Sequence, residues 1–103
     1  MKFLVEIIIP TETCNEGLKD GTVMKQLNEY LAEVKPLAVY FGIKDGQRTM
    51  YMVINMEKSE KIPEIAEPLW LDWHASISFM PIMDEKDFEK AMPEIKKIIE
   101  KRI

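Results

Sequence analysis

Six side chains carry most of the chemistry open to this chain: His74, Glu6, Tyr40, Tyr51, Ser76 and Ser78. His74 is the only histidine. Imidazole titrates near neutrality, so His74 is the default general acid or base. The competing role is a capping or interface histidine. Glu6 stands inside an apolar run, Phe3 to Ile9. Burial there would raise its pKa unless a hydrogen bond or a cation held the charged form. A buried carboxylate needs some partner, and perturbed acids often mark sites. Pairing with Tyr, Ser or Arg48 across a dimer is the other reading. His74 and Glu6 are thus the candidate catalytic groups. Tyr40, Tyr51, Ser76 and Ser78 are candidate substrate-binding groups, whose hydroxyls beside apolar neighbours suit a small-molecule pocket. The same residues would also suit a packed dimer interface.

Other chemistries find less support. Cys14 is the single cysteine. It lies in a loop-like stretch with no nearby histidine, which reads as a surface thiol. No His-x-x-x-His spacing exists, so no metal site is expected. Haem ligation would rest on one histidine alone. Gly17 and Gly21 are not followed by Lys-Ser or Lys-Thr, so a phosphate loop is absent and no cofactor is expected. Trp70 and Trp73 are spaced to share a helix side, and Met50, Met52, Met80 and Met83 suit irregular core gaps.

These groups must be positioned by a small body. The chain has 103 residues, 47% apolar and 31% charged, with net charge −4. That balance suits one domain over residues 1–103. The acidic balance argues against a nucleic-acid partner, because phosphate contacts need concentrated Lys and Arg. Runs such as Glu85-Lys86-Asp87 alternate sign and read as a solvated helix face. A membrane partner is not expected either, since no apolar run approaches the roughly 20 residues of a span. Glu6 interrupts the apolar start, which reads as a strand and not a leader. The lone cysteine suits a reducing, cytoplasmic setting.

Local signals then set the elements. Lys2 to Ile9 reads as a strand stopped by Pro10. Pro10 to Asn15 reads as a polar loop, with Asn15 as an N-cap. The following helix reaches about Val34. Asp20-Gly21 interrupts it, so its regular part begins at either Asn15 or Thr22. Leu37–Ile43 and Arg48–Met56 read as strands joined at Asp45-Gly46, the sequence of a type I′ turn. Ser59 is a candidate cap for a helix from Ile62 to Trp73, which Pro68 should kink. His74–Ile82 reads as a strand. Asp84 should cap a last helix with Phe88, Met92, Ile95, Ile98 and Ile99 as its apolar stripe and Pro93 as a kink. The order is β-α-β-β-α-β-α. It predicts an α+β, ferredoxin-like βαββαβ sandwich with an extra C-terminal helix.

A two-residue turn sets Lys44 opposite Gln47 and Tyr40 opposite Tyr51, which assigns every strand residue to a face. One face carries Val39, Phe41, Ile43, Met50, Met52, Ile54, Phe3, Val5, Ile7, Ile9, Ala75, Ile77 and Phe79. It should lie beneath the helices. The other carries Leu4, Glu6, Ile8, Ala38, Tyr40, Gly42, Thr49, Tyr51, Val53, His74, Ser76, Ser78 and Met80. That is too apolar for a sheet face left in water. A second copy is its expected cover, making the chain its own partner in a homodimer.

Asn15–Gly21, Lys35–Phe41, Asp45–Thr49, Ile62–Trp70, Ala75–Pro81 and Asp84–Ala91 together resemble a family of small bacterial proteins. That family is similar to a branch of the dimeric α+β barrel superfamily, in which two ferredoxin-like sheets face each other. Other branches resemble muconolactone isomerases, antibiotic-biosynthesis monooxygenases and haem-degrading enzymes. Their catalytic motifs have no counterpart here, so no residue role is carried over. The resemblance implies a homodimer, with isomerase-like or monooxygenase-like chemistry as an analogy. The functional expectation is a homodimeric protein binding a small apolar or aromatic metabolite; the alternative is an assembly module with no ligand.

Overall fold

A computed structural model describes all 103 residues. The strands are β1 (Lys2–Ile8), β2 (Ala38–Lys44), β3 (Gln47–Asn55) and β4 (Ser76–Ile82). The helices are α1 (Thr11–Asp20), α2 (Thr22–Val34), α3 (Ile62–Trp73) and α4 (Glu85–Arg102). The strands form one sheet in the order β2-β3-β1-β4, with every neighbouring pair antiparallel. This α+β arrangement is compatible with a ferredoxin-like fold.

The hairpin turn has the expected geometry: Asp45 and Gly46 hold φ of 52° and 74°. Both are positive, as a type I′ turn requires, and glycine adopts such a φ without steric cost. Lys44 therefore pairs with Gln47 and Tyr40 with Tyr51.

The expected loop at Pro10–Asn15 is a correction. The chain is already helical from Thr11, and the Cys14 N–H donates to the Pro10 carbonyl at 3.0 Å. Pro10, at φ −56°, enters the helix with a fixed dihedral. Asn15 is therefore an interior residue and not a cap. Gly21, at φ 84°, ends α1 and precedes α2, so the suggested start at Thr22 corresponds to a real break, whereas Asn15 lies inside α1. Ser59 makes no side-chain cap and opens a single 3-10 turn instead. Pro68 and Pro93 lie within helices that run on unbroken.

The core forms where α1, α2 and α3 cross the inner sheet face. Val5, Ile7, Met50 and Met52 are fully buried there, joined by Val23, Tyr30, Leu69 and Trp73 from the helices. Each such side chain contributes about 1.5–3 kcal/mol on leaving water. Polar tips within this layer are paired. The Tyr30 hydroxyl donates to the Ile65 carbonyl at 2.7 Å, and the Trp73 indole N–H to Gln26 Oε1 at 2.9 Å. Burial pushes the Tyr30 hydroxyl well above its usual pKa.

Two surfaces stay uncovered. The helices do not reach the outer end of β2, so Phe41 and Ile43 are 66% and 79% exposed, contrary to the expectation that this whole face is covered. α4 begins at a capping box in which Asp84 accepts from the Asp87 N–H at 2.8 Å and the Asp84 N–H donates to Asp87 at 3.1 Å. None of its residues is buried. The molecule spans 61 × 28 × 20 Å with a radius of gyration of 17.3 Å. A compact chain of this length has roughly 13 Å. The excess length is α4, about 27 Å long, standing away from the core.

Candidate functional site

The sheet register gathers four of the six candidate residues into one line. Tyr40 pairs with Tyr51, Tyr51 with Glu6, and Glu6 with Ser78. The line therefore crosses all four strands on the face opposite the helices, its members about 5 Å apart. Ser76 stands beside Ile8 in the adjoining row. Tyr40, Ser76 and Ser78 are exposed, and Glu6 and Tyr51 are partly covered.

Glu6 has its partner within its own chain. Lys44 Nζ reaches Glu6 Oε2 at 2.9 Å and Oε1 at 3.1 Å. The carboxylate raises the pKa of the Lys44 ammonium. Arg48 lies on the other face, opposite Ile43, and is not this partner. A Cβ on Gly42 would touch Tyr51 Cε2 at 3.6 Å, so the Tyr51 ring lies over β2 at that residue.

His74 does not join this group. It ends α3 in a left-handed conformation, φ 53°, before β4 begins. Its side chain is exposed on the helix side, in a shallow depression with Glu12, Glu16, Asp20 and Asp72. The two acid–base candidates thus lie on opposite sides of the sheet. Trp70 and Trp73 also part company, Trp70 being 43% exposed and Trp73 only 2%. No three His, Cys, Asp or Glu side chains gather as a metal site.

A third feature is an apolar cavity of about 200 Å³ between the α1–α2 pair and the β2–β3 half of the sheet. Its walls include Cys14, Leu27, Met50 and Trp73, and Phe41 and Met24 stand at its rim. Arg48 is the only charged residue in the lining. Its guanidinium donates to Asn15 Oδ1 at 2.8 Å, which ties it to α1.

Sequence reasoning missed this cavity because the first turn of α1, which carries Cys14, was read as a loop. Cys14, expected as a surface thiol, is a buried wall residue at 3% exposure. The signal was present in two places. Cys14 and Leu18 are one helical turn apart, and Arg48 alternates in register with Met50 and Met52 on the helix-covered face. No protein-family model and no curated protein sequence matches this chain.

Proposed function

We propose that this protein is a homodimer that binds a small apolar or aromatic molecule, in the manner of the dimeric α+β barrels it resembles. The observation that carries the ligand reading is the cavity beneath α1 and α2. It combines apolar walls with few polar groups, the usual make-up of a small-molecule site. A cavity of about 150 Å³ already takes benzene, so about 200 Å³ admits a substituted ring or a short branched chain.

Binding suits the cavity better than proton-transfer catalysis. Its lining holds no histidine and no carboxylate. Glu6 and His74 lie on opposite sides of the sheet, so one bound substrate cannot meet both within a chain. The line of Tyr40, Tyr51, Glu6 and Ser78 belongs instead to the proposed dimer face. The uncovered apolar residues of that face and the projecting α4 favour a second copy as cover.

Titration of isotopically labelled protein with ethylbenzene tests the ligand reading. Saturable amide shifts should centre on Cys14, Leu27, Met50 and Trp73. They should persist in Glu6→Gln and His74→Gln variants. Shifts confined to the opposite sheet face, or none at all, reject the cavity as the binding site. The assembly-module reading rests on the same bare surfaces and predicts a dimer that binds no probe.

A further inference from the structure

We infer that the cavity is selective for a small apolar carboxylic acid, bound as its anion, with Arg48 receiving the carboxylate. This rests on the cavity being a ligand site and adds the class of ligand.

Three observations point to an anion. First, the lining contains a single charge, and it is positive. Second, that charge has no carboxylate partner. The chain's ion pairs engage Lys2, Lys44, Lys58 and Lys61, and Arg48, like the remaining lysines and Arg102, is in none. A guanidinium has five N–H donors, and the hydrogen bond to Asn15 engages one of its nitrogens. The remaining fork matches a planar carboxylate and can grip it with two parallel bonds. Third, the side-chain O–H and N–H donors of the neutral lining residues, those of Thr49 and Trp73, are already engaged. The Thr49 hydroxyl donates to the Gln47 carbonyl at 3.0 Å, and the Trp73 N–H is held by Gln26. A sugar or polyol would therefore bury hydroxyls without partners, at a cost that an apolar body avoids.

Geometry agrees with this division. Arg48 is exposed while Cys14, Val23, Met50 and Trp73 of the lining are buried, so the charged head stays at the exposed side and the apolar body goes inward. The volume suits a phenyl ring with a short acid arm, or a branched acid of about six to ten carbons. Because the ion pair is half-solvated, its effect is moderate and sensitive to salt.

The test compares 3-phenylpropanoate, its neutral amide and ethylbenzene as probes, by calorimetry at neutral pH. The acid should bind roughly tenfold tighter than the amide, as a charge-assisted pair implies. In Arg48→Gln the acid and the amide should bind alike. Independently of any variant, raising salt to about 0.5 M should erode the acid's advantage and leave ethylbenzene unaffected. Equal binding of acid and amide to the native protein overturns the inference while ethylbenzene binding keeps the cavity reading. A preference that survives both Arg48→Gln and high salt overturns it too. Failure of all three probes to bind removes both readings.

Discussion

Gly17 of α1 packs directly against Val23 of α2. A Cβ there would overlap Val23 Cγ2. Alanine is the better helix former by about 1 kcal/mol, so propensity alone predicts that Gly17→Ala stabilises. The contact predicts the reverse, because both residues are buried and Val23 is stiff at χ1. Gly17→Ala should lower the midpoint of urea unfolding, and adding Val23→Ala should recover part of the loss. A midpoint raised by Gly17→Ala alone would show that the helices separate freely. In the core proper, Leu69 is 2% exposed. Leu69→Ala should cost about 2–5 kcal/mol in denaturant unfolding, the range for an unfilled cavity. At this scale the sequence was legible where a residue's role depends on near neighbours. Asp84 as a cap and Asp45-Gly46 as a turn are of that kind. The partner of Glu6 was not, since Lys44 reaches it from 38 residues away across an intervening strand.

Elements were legible where alternation and turn chemistry agreed, as in the β2–β3 hairpin. The first turn of α1 was not, because Thr11-Glu12-Thr13 has weak helix propensity and its helicity starts from Pro10. α4 offers the sharpest test of an element. The Asp87 N–H and the Lys2 ammonium, 3.1 Å away, lower the Asp84 carboxyl from 3.8 to about 2. A lowered carboxyl pKa means the folded cap binds protons less readily than the unfolded chain. The capping contribution is therefore complete above about pH 4 and is lost as pH falls through about 2. Lys2 shows the opposite sign: its pKa is raised by Asp84, so its contribution holds below 10.5 and fades above that. Amide exchange in the first turn of α4 should accelerate between pH 4 and 2, after correction for intrinsic rates. Asp84→Asn keeps a cap oxygen and should abolish that step. A first turn equally protected at both pH values in the native protein would contradict this account.

At the scale of the molecule, the apolar surfaces do not balance within one chain. Leu37, Tyr40, Phe41 and Ile43 of the β2 region are each at least 60% exposed, and the α4 stripe is uncovered as well. β2 is also an edge strand, with one side of its backbone unpaired. Edges left open in this way tend to pair with other chains. A symmetric second copy would cover these surfaces using the same chain. Tyr40→Glu on the open face should therefore shift sedimentation toward the monomer without loss of the far-ultraviolet helix signal. The bare outer face was legible from alternation alone. The projection of α4 was not, because an amphipathic stripe shows that a helix needs a partner and not which chain supplies it.

The most direct measurement is the native mass of freshly purified protein. The chain weighs 12.1 kDa. A dimeric mass with a small addition, displaced by 3-phenylpropanoate, is the predicted result. A bare monomer that takes up neither this acid nor ethylbenzene would contradict both the assembly and the site.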